Sequence, residues 1–470
     1  MVRFFLYIVF CVLATAQVLA AKVDTVEAKR VAFEFMSQRT LLDDSSELVL
    51  VNSGYEYIYA LNVKNGGGFV LVSADNSAKP IIGYSLSESF VADQNGVTNG
   101  WLASCNGIIG GISDDEPVNS EWTALGNENS LKATSTVVEP LLVSKWTQIS
   151  PYNYVFPDND ENGKAIVGCV AVAMGQVLRY WKYPKTGCSY KIVDDARYGE
   201  LTVYFDSVNY DWDNMPETLT DSSPEEQINA VSTLLYHCAV GASSVFGNKT
   251  QGTGARIFMT NDYPYDNGQY SLMNNFKYDT EMVGELRSAY TNSAWRRKLR
   301  EELSNGRPVI YSGTDSTSTY GHCFVIDGCD ADGYFHVNWG WGGGSNGYFL
   351  LDSLIPTQNS DYSYTQAALI KVHPVDSLYE ESGVADAVSV DDVSVSFYPN
   401  PSTDMVTVNV YGNLLSNAQL SVYSAEGSVI YSSAVSQAEN NFSVSKWSPG
   451  TYLVCIRNGS AKMTARLIVR

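Results

Sequence analysis

The hydrophobic residues after Gly168 recur at steps of three and four positions, which is the spacing of one helix face. This pattern predicts a helix that begins at Cys169 and ends before Pro184, because proline cannot continue a helix. The predicted buried face consists of Val170, Met174, Val177, Leu178 and Trp181.

The first part of the chain combines a short amphipathic stretch with several runs typical of β-strands. A polar, low-complexity stretch at 126–136 has little to bury and marks a boundary. We therefore expect an α+β unit over residues 22–136. The helical pattern lies at 26–36, and the strand-like runs lie at 48–51, 55–61 and 68–72.

The end of the chain changes to short alternating runs with turn residues between them, at a spacing of about ten residues. This arrangement predicts a small β-sandwich over residues 393–470. An acidic, poorly patterned linker at 376–392 separates it from the largest unit, residues 137–375, in which helix and strand patterns mix. The predicted strands of the sandwich lie at 405–411, 418–424, 451–457 and 463–469.

The chain opens with a basic residue, an apolar run and then small residues, in the order found in secretory signal peptides. We expect residues 1–21 to be this signal, since the apolar run is shorter than the ~20 residues that span a bilayer. No membrane span is expected in the remaining sequence. Of eight cysteines Cys11 lies in the signal, so at least one of the remaining thiols must stay free or pair between chains.

The charge balance narrows the classes of partner. The 470 residues include 51 Asp and Glu against 30 Lys and Arg, which gives a formal net charge of −21. A surface of this sign repels phosphate backbones and anionic lipid, so no nucleic-acid partner is expected.

Cys169 stands where a thiol can act as a nucleophile. In the first turn of the predicted helix, the positive end of the helix dipole lowers the pKa of a thiol. A thiolate nucleophile needs a base, which is usually histidine. Of the four histidines, His322 opens a strand-like run after a polar stretch, whereas His237, His336 and His373 are more typical of packed or surface positions.

Two strand-like runs joined by turn-forming residues at 328–333 predict a hairpin that begins at His322. Folding the hairpin about its turn brings His322 opposite Asn338 or Trp339, and the sequence leaves this choice of register open. Asn338 would orient the imidazole through a hydrogen bond, and Trp339 would shield that bond from water.

Gln148 lies in a loop upstream of the predicted helix and offers a side-chain amide. Together with the backbone N–H of Cys169 it would bind a developing oxyanion, although an ordinary loop glutamine is an equal alternative. No metal or organic cofactor is expected. The calcium-like stretch at 158–163 lacks a glutamate at the twelfth position of such a loop, and the glycine-rich stretch at 340–347 does not open a helix.

Four separated motifs resemble those of the streptopain family of papain-like cysteine proteases, in the same order. The resemblance implies an α+β papain-like catalytic domain over residues 137–375, with a catalytic cysteine and histidine, an orienting asparagine and tryptophan, and an oxyanion-hole glutamine. KWTQISPYN contains Gln148, VGCVAVAMGQVLRYWKYP contains Cys169, GHCFVIDG contains His322, and HVNWGWGGGSNGYF contains Asn338 and Trp339.

The flanking units carry resemblances of their own. GFVLVSADNSAKPIIGYS, at 68–85, is similar to the streptopain propeptide, which implies an inhibitory pro-domain at 22–136 and a zymogen. YPNPSTDMVTV and the ending KMTARLIVR resemble the C-terminal sorting domains of the type IX secretion system. That implies export across both membranes of a Gram-negative bacterium to the medium or the cell surface. Cys323 departs from the family pattern, in which a small residue such as alanine is usual.

We therefore expect a secreted cysteine endopeptidase, made as a zymogen, in which Cys169 and His322 form a thiolate–imidazolium pair. The expected partners are protein or peptide substrates, the propeptide as intramolecular inhibitor, and the type IX secretion machinery. Two alternatives stay open. A papain-like cell-wall amidase or transpeptidase would use the same pair, and an inactive surface protein would only bind through its cleft.

Overall fold

The computed structural model describes residues of all three units, and residues 1–20 of the predicted signal peptide and most of the stretch 126–136 lie outside the described part. In the first two units these residues are 21–40, 42, 44–64, 67–92, 100–113, 116–125, 136–314, 321–351 and 366–375. In the third unit they are 387–390, 393–398, 402, 404–411, 418–424, 428–435, 439–448, 450–458 and 461–469.

The helices form where apolar residues recur with helical spacing, and three of them begin at a polar cap, which for α6 is Asn267. Asp24 accepts hydrogen bonds from the N–H groups of Val26 and Glu27, and Thr291 accepts one from Ala294. The helices are α1 (Thr25–Ser37), α2 (Gly100–Gly110), α3 (Glu121–Ala124), α4 (Cys169–Trp181), α5 (Glu225–Gly241), α6 (Gly268–Asn274) and α7 (Asn292–Ser304).

The strands of the first two units pair antiparallel, and those at the start confirm the strand-like runs of the sequence. In chain order they are β1 (Leu48–Val51), β2 (Ile58–Val63), β3 (Phe69–Ser73), β4 (Ile81–Ser85), β5 (Thr136–Val138), β6 (Tyr190–Asp195), β7 (Gly199–Tyr204), β8 (Val283–Leu286), β9 (Val309–Thr314), β10 (Gly321–Asp330), β11 (Phe335–Asn338), β12 (Gly347–Phe349) and β13 (Ala367–Ile370).

One sheet runs through both units. Its strand order is β1-β2-β3-β4-β12-β11-β10-β9-β13-β8, with β5 paired to β10 beside this path. The two units join where β4 pairs with β12, with Tyr84 opposite Tyr348 and Gly83 opposite Phe349. The first unit therefore extends the central sheet through main-chain hydrogen bonds.

Helix α4 confirms the predicted start at Cys169 and the predicted end before Pro184. The prediction of one buried face is too narrow, because every residue from Val170 to Leu178 is buried. The reason is that α5 and β10 both pack against α4. The N-terminus of this helix is therefore fixed by a core on both sides.

Strand β10 separates two hydrophobic cores, because alternate side chains of a strand point to opposite faces. Cys323 and Val325 belong to the core around α4 and α5. Phe324 and Ile326 belong to the core shared with the first unit. His322 thus lies at the end of a strand that contacts both regions.

The predicted register of the hairpin is wrong. Val325 pairs with Asn338, so His322 lies three residues beyond that pair rather than opposite Asn338 or Trp339. Strand β10 continues to Asp330, which shortens the turn, and a bulge in β10 shifts the ladder. The displaced turn changes the register by more than the one residue that the sequence left open, and the bulge reverses that change by one residue.

The third unit consists of two four-stranded sheets around an apolar core, which confirms the predicted β-sandwich. Its first strand falls inside the predicted linker 376–392. The strands are β14 (Ala387–Val390), β15 (Val393–Tyr398), β16 (Met405–Tyr411), β17 (Ala418–Tyr423), β18 (Val429–Val435), β19 (Glu439–Ser443), β20 (Gly450–Asn458) and β21 (Ala461–Val469). Among the described residues, no helix has the length and apolar character needed to cross a bilayer.

Candidate active site

Cys169 is the first residue of α4, and Gly168 caps the helix with φ 86° and ψ 143°. This positive φ favours glycine, and a Cβ at Gly168 would lie 2.9 Å from the side chain and carbonyl oxygen of Thr253. The tight turn therefore depends on glycine. It presents Cys169 at the positive end of the helix dipole.

The Cys169 thiol is bordered by main-chain groups from two elements. The pKa of the Cys169 thiol is raised by burial, against the lowering expected at a helix N-terminus, while hydrogen bonds from the backbone of Cys323 and of Val170 act in the opposite direction. Since Cys323 follows His322 directly in the chain, this contact brings the nucleophile helix and the histidine strand into one site. The structure therefore unites the two segments that the sequence identified separately.

His322 lies against an aromatic wall. Its ring stacks on Trp341, with ring centroids 4.8 Å apart, and on Trp339, with centroids 6.3 Å apart. The imidazole Nε2 donates a hydrogen bond of 2.9 Å to the carbonyl oxygen of Trp339. A carbonyl oxygen can only accept, so Nε2 carries a hydrogen in this arrangement. Trp339 thus holds the imidazole through its main chain as well as through its ring.

Asn338 is 2% exposed and makes contacts other than the predicted one. Its side-chain Nδ2 donates to the carbonyl oxygen of Ser144 at 2.7 Å, and its Oδ1 accepts from Gln176 at 3.1 Å and from the N–H of Gly340 at 3.2 Å. These bonds tie β11 to α4 and to the segment before Trp146. The register of the hairpin explains this, because it places Asn338 opposite Val325.

Gln176 is a site residue that the sequence reasoning missed. It is 1% exposed and lies two turns after Cys169 on α4. Its Nε2 donates to Asn338, and its Oε1 accepts the N–H of Trp146 at 3.2 Å. A glutamine inside an otherwise apolar helix was the available signal, because a buried amide needs partners.

Gln148 lies in the loop before α4, where the N–H of Val167 donates to its carbonyl oxygen at 2.9 Å. This bond holds the loop beside the chain that leads into Cys169. Trp146, two residues earlier, is fully buried and anchors the same loop. The half-buried side chain of Gln148 is thus carried by a fixed backbone.

The other histidines have structural partners. His237 is buried, bonds to the Tyr210 hydroxyl at 2.9 Å, and has its pKa lowered by burial to about 4. His336 pairs with Asp327 at 2.6 Å, and His373 bonds to the carbonyl oxygen of Pro374. None of the three adjoins the Cys169 thiol through a described hydrogen bond.

The cysteines and acidic residues form no metal site in the described part of the chain. No group of three or more His, Cys, Asp or Glu residues there is placed to hold an ion. The described cysteines are free thiols, including Cys323 beside Cys169. Cys323 is 3% exposed and faces the core around α4.

Comparison with protein families assigns all three units. The peptidase C10 family matches residues 146–349, the Spi protease inhibitor family matches 20–109, and the secretion system C-terminal sorting domain matches 396–470. These three matches follow the order of the units in the structure.

Similar proteins agree with this assignment. Thiol protease/hemagglutinin PrtT of Porphyromonas gingivalis is 30% identical, but the match covers 67% of this chain and only 37% of PrtT. Streptopain of Streptococcus pyogenes is 30% identical over 361 residues, which are 70% of this chain and 85% of streptopain.

A solved structure extends the agreement to the fold. The structure of a fragment of Prevotella intermedia prointerpain A is similar with a TM-score of 0.55 and 30% identity, covering 69% of this chain and 99% of that one. The match therefore includes the first unit as well as the central one. The chain belongs to the peptidase C10 family, the streptopain-like thiol proteases, with an inhibitor-like propeptide before the protease domain and a secretion sorting domain after it.

Proposed function

We propose that the protein is a secreted cysteine endopeptidase in which Cys169 is the nucleophile and His322 is the general acid and base. The observation that supports this most directly is that Cys169, the first residue of α4, and Cys323, which follows His322 in β10, pack in the same hydrophobic core region. A thiol at a helix N-terminus and an imidazole in the adjacent strand supply both groups that acyl transfer requires.

The reaction uses these two side chains in turn. The Cys169 thiolate attacks the carbonyl carbon of the scissile bond, and the His322 imidazolium protonates the leaving amine as the C–N bond breaks. Water then attacks the thioester, with His322 taking its proton, and the carboxylic acid product leaves. The Cys169 thiolate and the imidazolium are restored at the end of the cycle.

We assign supporting roles to three further residues. The Gln148 amide and the Cys169 N–H stabilise the oxyanion, an interaction whose loss typically costs about 3 kcal/mol. The carbonyl oxygen of Trp339 fixes the imidazole at 2.9 Å. Asn338 is a positioning residue, because its hydrogen bonds join β11 to α4 through Gln176.

The first unit is the inhibitor of the same chain in this proposal. It shares the β4–β12 ladder with the central unit, and its Trp101 ring lies 6.1 Å from that of Trp339. We place the propeptide at 22–136, the catalytic domain at 137–375 and the linker at 376–392. In this proposal the type IX secretion machinery recognises the sorting domain at 393–470.

The test compares Cys169→Ala with wild type in the purified full chain. We expect the variant to stay uncleaved and to hydrolyse no gelatin, since no other group replaces the thiolate. Cys188→Ala is the matched control. Cys188 is a half-buried thiol like Cys169, but it donates to the carbonyl oxygen of Asn274, which is not part of the candidate active site. This control should process itself and digest gelatin like wild type.

Self-processing by Cys169→Ala would overturn the proposal. A peptidoglycan release assay with the wild-type enzyme addresses the amidase alternative, and no release is expected. An epoxysuccinyl inhibitor should label Cys169 in the processed enzyme, which a protein that only binds would not allow.

A further inference from the structure

A segment of the first unit, residues 88–91, lies along the glycine-rich loop of the central unit. The N–H of Ser345 donates to the carbonyl oxygen of Ser89 at 3.3 Å. The Ser345 hydroxyl accepts the N–H of Val91 at 3.2 Å and lies 3.3 Å from its carbonyl oxygen. Ser345 therefore binds residues 88–91 through their main-chain groups, and a peptide of any sequence has the same groups.

The same segment carries Glu88, whose carboxylate forms an ion pair of 2.5 Å with the ammonium group of Lys145. The Ser85 hydroxyl accepts the N–H of Glu88 at 3.1 Å, which fixes the turn that presents this carboxylate. Lys145 thus recognises a side chain while Ser345 recognises the backbone beside it.

Lys145 is held in place by the central unit itself. Its N–H donates to the carbonyl oxygen of Glu217 at 2.8 Å. Its methylene stem packs on Gly343, where a Cβ would lie 2.8 Å from Lys145 Cδ and where φ is +88°. The stem therefore packs on a surface that belongs to the central unit and remains when the first unit is absent.

This surface borders the histidine side of the site. The N–H of Gly342 donates to the carbonyl oxygen of Trp146 at 3.0 Å, which joins the loop to the residue after Lys145. Trp341, the residue before Gly342, stacks on the His322 ring. Because His322 protonates the leaving amine, the residues C-terminal to the scissile bond pass on this side.

We propose that Lys145 forms a subsite for an acidic side chain of the substrate, on the C-terminal side of the scissile bond. This inference rests on the proposed peptidase function. Release of the first unit removes Glu88, which is the carboxylate paired with Lys145 among the described residues. A substrate glutamate or aspartate then takes its place, and the substrate backbone takes the place of residues 88–91 on Ser345.

The experiment uses the full chain after self-processing and a set of internally quenched peptides. The peptides differ only at the first, second or third residue after the scissile bond, which is Glu, Gln or Lys. At one of these positions we expect kcat/KM for the Glu peptide to exceed that for the Gln peptide about three- to fivefold, the size of an exposed ion pair. The Lys peptide should be the slowest, and added salt should reduce the differences.

Variants assign the preference to one side chain. Lys145→Gln should reduce the Glu-to-Gln ratio to about one, and Lys145→Glu should make the Lys peptide the fastest. Lys371→Gln is the matched control, since Lys371 has a similar side-chain exposure, 42% against 44%, and also pairs with a glutamate. Lys371 is next to Val372, whose carbonyl oxygen accepts a hydrogen bond from Trp181 at the C-terminal end of α4, away from Cys169. Lys371→Gln should therefore keep the wild-type ratio of the Glu rate to the Gln rate.

Two results would overturn the inference. Equal rates for Glu and Gln at all three positions, in an enzyme that cleaves the peptides, would overturn it and leave the proposed function standing. Failure to cleave any peptide, together with no labelling of Cys169, would overturn both.

Discussion

The two sides of the candidate active site are built differently. The nucleophile side, which consists of Cys169 and Gln176 on α4, packs against the core of the central unit, and among the described residues the buried Gln176 amide pairs with Trp146 and Asn338 of that unit. The histidine side, which consists of His322, Trp339 and Trp341, is an aromatic stack in contact with the first unit through Trp101.

This difference indicates which side responds to release of the propeptide. The nucleophile helix keeps its described neighbours when the first unit leaves, because α5 and β10 both belong to the central unit. The histidine side loses the Trp101 ring, which packs 6.1 Å from Trp339 and 5.0 Å from Phe349. Maturation therefore changes the surroundings of His322 more than those of Cys169.

The largest expected effect concerns α5, the helix that packs against the nucleophile side, at acidic pH. His237 on α5 stays neutral in the folded protein down to pH about 4, whereas the unfolded chain takes up the proton near pH 6.5. Stability should therefore fall as the pH decreases from 6.5 to 4, by about 3 kcal/mol in total. Urea unfolding across this pH range measures the loss.

His237→Gln should remove this part of the pH dependence, because the amide can still accept from the Tyr210 hydroxyl but does not titrate. His373→Gln serves as the control and should keep it, since His373 is half-buried and bonds to the neighbouring Pro374. If the free energy of unfolding of His237→Gln and of wild type changed with pH in the same way, the pH dependence could not be assigned to His237.

A second prediction tests how far the nucleophile side depends on Gln176. Gln176→Leu leaves the buried N–H of Trp146 without its acceptor, so we expect the free energy of unfolding to fall by about 2 kcal/mol. The kcat of the processed enzyme should fall about tenfold or more, because Asn338 and the Gln148 loop lose their common anchor.

Denaturant unfolding and peptide hydrolysis measure these two quantities. The matched control is Gln227→Leu, a half-buried glutamine in the first turn of α5, and it should be close to wild type in both. An unchanged kcat in Gln176→Leu would show that the two sides of the site do not communicate through this amide.

The smallest effect concerns the histidine side. Trp101→Ala removes the ring that packs on Trp339 and Phe349, which should weaken docking of the propeptide by about 1 kcal/mol. Self-processing should then be about fivefold faster, as followed by gel electrophoresis over time. Leu50→Ala, on the outermost strand β1 and 49% exposed, should process at the wild-type rate. Slower self-processing by Trp101→Ala than by wild type would contradict the prediction that the Trp101 ring delays self-processing.

Much of the fold was predictable because its signals are local. The start of α4 at Cys169 follows from a glycine and an apolar repeat within one segment. Strand β16 coincides with the predicted run at 405–411, since alternation and turn residues lie within about ten positions of each other. The motifs also led to the correct family and to the segments that meet in the site.

The features that escaped prediction come from contacts that the spacing of apolar residues does not encode. Gln176 acquires its role from Trp146 and Asn338, which are 30 and 162 positions away in the sequence. The hairpin register follows from a bulge and from a turn that closes when Asp330 accepts the N–H of Tyr334. The spacing of apolar residues encodes neither a bulge nor this turn, so it leaves the register open.

The ladder between β4 and β12 has a consequence for the timing of activation. Cutting the chain between the first two units breaks one peptide bond but leaves the antiparallel pairs Tyr84–Tyr348 and Gly83–Phe349 intact. The severed fragment therefore behaves as a tight ligand whose departure follows mass action. Activation then requires two steps, hydrolysis and dissociation, and dilution after export keeps the released fragment from binding again.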